Sequence, residues 1–123
     1  FQMRDNRPMA LAGLWECWEG ADGSALETCV IITTAANRLL APIHDRMPVM
    51  IRPEDFARWL DPIRQKPADL CVLQSLFIPF NDEEMTGWSV NPLVNNPSHD
   101  TPECIKPVDD KPLHFDIDQD TFL

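Results

Sequence analysis

Hydrophobic positions along this chain come in runs rather than in strict alternation. Met9 to Trp18 is mostly apolar and aromatic, a polar stretch holding Asp22-Gly23 follows, and Cys29-Val30-Ile31-Ile32-Thr33 is apolar and largely β-branched. An Asp-Gly turn between two such runs predicts an antiparallel hairpin. Because the runs are continuous, both faces of its strands are expected to be covered. Thr34 is placed to cap a short helix in which Ala36, Leu39, Leu40 and Ile43 follow the i, i+3, i+4, i+7 spacing, with Pro42 making its end irregular. His44-Asp45-Arg46 then falls in a connection before Met47 to Ile51 resumes an extended apolar pattern.

Further on, Pro53 suits the first position of a second helix, Glu54 and Asp55 suit its N-terminus, and Phe56, Trp59, Leu60 and Ile63 share one face. The stretch Leu70 to Phe80 reads equally as helix or strand, with Ile78-Pro79-Phe80 leaning towards an extended edge. Trp88-Ser89-Val90 suggests a short strand ahead of an Asn95-Asn96-Pro97 turn. Beyond Val108 there is no period, and an acidic tail over 109–123 is expected to be disordered or packed on a partner. The predicted fold class is α+β: one domain over residues 1–108, built on a mixed, mainly antiparallel sheet with short flanking helices. The strand-like pattern begins almost at Phe1, so the sequence is expected to hold an incomplete domain.

Composition modifies this picture in three respects. Twelve prolines against 4 glycines favour short elements with stiff connections. A net charge of -10 argues against binding duplex DNA by bulk attraction, since phosphate neutralisation needs clustered Lys and Arg. The charge is uneven, however. Residues 38–66 carry Arg38, Arg46, Arg52, Arg58, Arg64 and Lys66 against Asp45, Glu54, Asp55 and Asp61, whereas the tail carries Asp109, Asp110, Asp116, Asp118 and Asp120 against Lys111 alone. Finally, Cys17, Cys29, Cys71 and Cys104 form no C-x-x-C pair. Reduced thiols in a cytoplasmic protein are expected, with neither zinc nor a disulfide framework. No apolar run approaches the roughly 18 residues of a membrane span.

Candidate chemistry centres on His44. An imidazole flanked by one acid and one guanidinium can transfer protons and place a cation for an anionic group. The same trio also suits a loop histidine satisfied by its neighbours, so the residues alone do not assign a role. His99 in a polar turn and His114 in the tail are expected to face solvent. Cys29 and Cys71 lie in apolar runs where buried, inert thiols are expected. Glu16, between Trp15 and Trp18, is either an acid whose pKa is raised by aromatic surroundings or a strand-end carboxylate with a structural hydrogen bond. Phosphate-binding loops, a nucleophile elbow and metal-ligand spacings are missing from the sequence, and no cofactor or metal is expected.

Four strings, Ala10-Leu11-Ala12-Gly13-Leu14-Trp15-Glu16, Ile31-Ile32-Thr33-Thr34-Ala35-Ala36-Asn37, Ile43-His44-Asp45-Arg46-Met47-Pro48-Val49 and Val94-Asn95-Asn96-Pro97, resemble the SOS-response-associated peptidase (SRAP) family in order and spacing. Thr101-Pro102-Glu103-Cys104-Ile105-Lys106-Pro107-Val108 resembles that family's closing segment, so the likeness covers the C-terminal half of the family's domain. It implies a sensor of abasic sites in single-stranded DNA. An N-terminal cysteine, unmasked by self-cleavage, forms a thiazolidine with the sugar aldehyde. It also implies His44 as catalytic acid/base, Arg46 as a contact to DNA phosphate, and Thr34 as lining the same pocket. The Gly-aromatic-aromatic-Glu-Trp string that carries the family's catalytic glutamate is not in this sequence, nor is an N-terminal cysteine, and Glu16 belongs to a different, structural motif. The piece is therefore expected to be inactive by itself. The competing expectations are a non-catalytic relative that uses its acidic tail to dock a protein partner, and a hydrolase of another kind. The implied location is cytoplasmic and nucleoid-associated in a bacterium, or nuclear in a eukaryote.

Overall fold

The computed structural model describes residues 1–62, 67–109 and 112–113. Among these residues six short strands appear in chain order: β1 (Gln2–Met3), β2 (Gly13–Glu19), β3 (Ala25–Ile31), β4 (Thr33–Ala35), β5 (Arg46–Pro48) and β6 (Met85–Thr86). All three ladders, β1–β6, β2–β3 and β4–β5, are antiparallel. Among the described residues two α-helices, α1 (Phe56–Trp59) and α2 (Pro67–Gln74), and four single 3-10 turns complete an α+β fold, as the sequence predicts.

The β2–β3 hairpin turns where Asp22-Gly23 predicts. Gly23 adopts φ +81°, a left-handed conformation that its missing Cβ permits, and the Asp22 carboxylate accepts from the Ser24 amide and hydroxyl. Below the hairpin the ladders meet at a three-way junction. The Ala12 amide donates to the Val49 carbonyl, the Val49 amide to Ile32 and the Ile32 amide to Ala12, each at 2.8 to 2.9 Å. Ala12 and Val49 are fully buried there. Burial requires each amide to find its partner, which the closed ring of bonds supplies.

On one side of the junction Ala12, Val49 and Ile51 pack with Ile32, Trp59, Leu76 and Phe77, the rings of Trp59 and Phe77 meeting edge to face at 6.1 Å. On the other, Met3, Met47, Met50, Phe80 and Met85 form a second cluster against Leu39 and Leu40. These two clusters position everything that follows.

Several expectations require correction. The hairpin strands are not covered: every residue of β3, and every residue of β2 but Gly13, is exposed. The strands project beyond the core, and only their base is packed. Thr34 caps no helix. It lies in β4, and its hydroxyl donates to the Phe77 carbonyl at 3.0 Å. Residues 38–43 make a string of turns in place of a helix, since Pro42 has no amide to continue one. The cap belongs to Asn37, whose side-chain oxygen accepts from the Leu40 amide at 3.0 Å while its amide nitrogen donates to the Phe80 carbonyl at 2.9 Å. The second helix shrinks to a 3-10 turn over Pro53–Asp55 followed by α1, for Pro62 disfavours helix at the residue before it; Ile63 lies outside the described residues. Leu70 to Phe80 resolves as helix through Gln74, and Trp88 to Val90 makes only a bridge from Val90 to Pro107. Apart from Asp109, Pro112 and Leu113, the tail lies outside the described residues.

Candidate functional site

Residues 36–45 form the loop of the β4–β5 hairpin. It is closed at its neck by the Ala36 amide donating to the Asp45 carbonyl at 2.9 Å. Asn37, Leu39 and Leu40 pin its first half to the core, and its second half carries His44 and Asp45 outward. His44 is further fixed by its backbone, whose amide donates to the Leu40 carbonyl at 3.0 Å.

The ring is oriented from the main chain. The Arg46 amide donates to His44 Nδ1 at 2.9 Å, so the neutral ring bears its proton on Nε2, the nitrogen away from that bond. Asp45 Oδ1 also lies 3.1 Å from Nδ1. These contacts belong to different protonation states: an unprotonated Nδ1 accepts from Arg46, and a protonated one pairs with Asp45. The His44 side chain is 67% exposed, which leaves Nε2 open to a substrate and argues against a core role.

Arg46 folds back along the ladder. Nη2 donates to the Thr33 carbonyl at 2.7 Å and to the Thr33 hydroxyl at 2.9 Å. No carboxylate among the described residues pairs with Arg46, so its charge is held in place and left uncompensated. Thr34 does not join this pair. Successive strand residues face opposite ways, and Thr34 stands opposite buried Met47 whereas Arg46 stands opposite Ala35. The structure thus brings His44, Arg46 and Thr33 together and sets Thr34 on the inner face. Thr33 is the residue that sequence reading passes over; its position two residues before Ala35, on the Arg46 face, is the signal that identifies it.

The remaining candidates lie elsewhere. Glu16 is exposed in the middle of β2, opposite Thr28. Cys17, Cys29 and Cys71 are exposed and only Cys104 is buried, which corrects the expectation of buried thiols at Cys29 and Cys71. His99 is exposed, its Nδ1 at 3.3 Å from the Leu93 carbonyl, and His114 lies outside the described residues. Among the described residues no group of three or more His, Cys, Asp or Glu could hold a metal ion, and no helix is long and apolar enough to cross a membrane.

A second charged feature buttresses the core. Arg52 and Glu84 pair through two contacts, at 3.0 and 2.5 Å, and the Arg52 guanidinium lies 4.5 Å from the centre of the Phe80 ring. The hydrogen bonds from Arg52 hold the Glu84 carboxyl below its ordinary value of 4.5, and the same bonds raise Arg52. Glu84 has its lower pKa in the folded state, so its contribution to stability is present near neutral pH and is lost as pH falls through that depressed value. Glu84→Gln is expected to cost about 0.5–1 kcal/mol at pH 7, a figure discounted for partial exposure. Urea unfolding should show the gap between variant and wild type closing as pH falls below the ordinary carboxyl range.

An oriented imidazole can move a proton, and a guanidinium two residues on, without a counter-ion among the described residues, can hold an anionic group. The class this fold and site define is an α+β domain that carries an oriented histidine on an exposed hairpin loop. Residues 1–97 match the family model described as SOS response associated peptidase (SRAP), and the chain belongs to that family. It is 41% identical over 105 residues to the abasic site processing protein YoqW of Bacillus subtilis, covering 85% of this chain and 46% of that one. It is 34% identical over 104 residues to the abasic site processing protein HMCES of Mus musculus, covering 84% of this chain and 28% of that one. A crystal structure of a protein from Bacteroides thetaiotaomicron superposes with TM-score 0.71 at 25% identity, over 85% of this chain and 45% of that one. The chain therefore spans less than half the length of these relatives.

Proposed function

We propose that this chain is the part of an abasic-site processing domain that supplies its acid/base, His44, and its phosphate anchor, Arg46, and that the substrate is single-stranded DNA. The observation that carries this reading is the pairing of an outward Nε2 on His44 with an Arg46 held by Thr33 and by no carboxylate among the described residues. Similarity to proteins named for abasic site processing supports it.

The chemistry requires a 1,2-aminothiol. Cys17, Cys29, Cys71 and Cys104 are internal, with their amino groups locked in peptide bonds, so none can serve. The nucleophile is an N-terminal cysteine from outside these residues. Its amine adds to the sugar aldehyde, the resulting carbinolamine loses water to give an imine, and the thiol adds to the imine carbon to close a thiazolidine. One water is released in total. The doubly protonated His44 ring, with Nδ1–H on Asp45, is suited to protonate the departing hydroxyl from Nε2, and the neutral ring that results can take the thiol proton at Nε2. Thr34, on the inner face, supports the strand that carries Arg46.

Arg46→Ala in the domain-complete protein should weaken binding to single-stranded DNA of any sequence. It should also reduce the slope of log affinity against log salt by about 0.7, one phosphate contact's worth. Titrations at several salt concentrations measure this, and an unchanged slope would remove Arg46 from the interface.

A further inference from the structure

Residues 7–10, together with residues between Met50 and Phe56, line a cleft of about 300 Å³. The Ile51 amide ties the two segments by donating to the Ala10 carbonyl at 2.8 Å. Thr33, Thr34, His44 and Arg46 do not line it, so it is separate from the site described above. Its volume lies at the lower end of the roughly 300–1,000 Å³ of small-molecule sites, which leaves room for one or two rings. Buried Met3, Met50 and Phe80 make its inner wall, and Met9 and Phe56, 38% and 39% exposed, its outer one. Three thioethers and two phenyl rings form a soft, polarizable lining that favours a flat aromatic guest. Two guanidiniums and one carboxylate also line the cleft. Glu84 is taken by both terminal nitrogens of Arg52, whose guanidinium lies over the Phe80 ring. Arg7 is bound differently. Asp5 accepts from its Nε at 2.6 Å, which orients the side chain, and its two terminal nitrogens have no acceptor among the described residues.

We propose that this cleft binds a small aromatic carboxylate, its ring held among the three methionines and Phe56 and its carboxylate on the terminal nitrogens of Arg7. Charge selects an anion. With Glu84 bound to Arg52, the lining offers no unengaged carboxylate to a cationic guest, whereas Arg7 offers donors to an anionic one. A guest carboxylate can accept from both terminal nitrogens of Arg7 while Asp5 keeps Nε, so the existing pair need not break.

The test titrates naphthoate, and separately its neutral amide naphthamide, into the domain-complete protein while methionine methyl groups are followed by NMR and assigned by replacing each in turn with Leu. Naphthoate should shift the methyls of Met3, Met9 and Met50 saturably, and those of Met47 and Met85, which do not line the cleft, far less. Naphthamide should bind about fivefold more weakly, the worth of one exposed charge pair. Arg7→Gln should bring naphthoate down to the amide's affinity and leave the amide unchanged. Because the Arg7 side chain is 63% exposed, the methyl spectrum of the free variant should match wild type, which separates lost binding from lost folding. The proposal is overturned by the absence of a saturable shift, by equal affinity of wild type for the two probes, or by shifts spread evenly over all five methionines of this chain. A cleft that further residues of the domain fill would give the first of these results. The readout is binding away from His44 and Arg46, so each outcome leaves the DNA reading standing.

Discussion

Replacing His44 with Gln in the domain-complete protein is expected to slow covalent capture of an abasic oligonucleotide by about 100-fold or more, the usual contribution of a positioned acid/base. Gln matches imidazole approximately in reach to Nε2, and the bonds from the His44 amide to the Leu40 carbonyl and across the neck are kept, so the loop should hold its shape. It has no titratable proton to give. Because the His44 side chain is 67% exposed, thermal stability should change by less than about 0.5 kcal/mol. Single-turnover kinetics followed on denaturing gels, paired with a melting curve, separate the two effects. Equal rates in variant and wild type would return His44 to the role of a loop residue satisfied by its neighbours.

The largest effect on stability is expected at Met47. It is 1% exposed, sits in β5 between Arg46 and Pro48, and packs with Met3, Met50, Phe80 and Met85. Met47→Ala removes that contact from a small core and should cost about 2–5 kcal/mol, depending on how far the flexible methionines around it collapse into the space. Domains of this size are stable by only about 5–15 kcal/mol, so a large share of the total is lost. Met47 also links core to site, because it is paired with Thr34 and adjoins the residue that orients His44. Urea unfolding measures the loss. A cost below about 1 kcal/mol would place the structural centre elsewhere, towards Ala12 and Val49.

What could be read from the sequence follows the range of the interactions. The hairpin turn is set by three adjacent residues, with Gly23 at positive φ and Asp22 bonded to Ser24, and it was legible. So were the extended run through Met47 and the loop position of His44, because neighbouring residues settle both. Thr34 and Asn37 are both capping residue types, and what separates them is a bond from Asn37 to the Phe80 carbonyl 43 residues away, which no local pattern reveals. The Arg52–Glu84 pair spans 32 residues and was equally hidden. The apolar runs of the hairpin predict cover on both faces, yet the hairpin stands open, because hydrophobicity records that a surface needs a cover without recording which residues supply it. In the site, the His44–Arg46 pair was legible as a string. The face alternation that brings Thr33 to Arg46 and turns Thr34 inward needed the β4–β5 register.

The central claim is tested most directly by incubating the domain-complete protein, carrying the proposed N-terminal cysteine, with single-stranded oligonucleotides that differ only in one abasic site. The account predicts an adduct that survives denaturation with the abasic strand and none with the intact strand. Absence of an adduct with the abasic strand, or equal adducts with both, would contradict it.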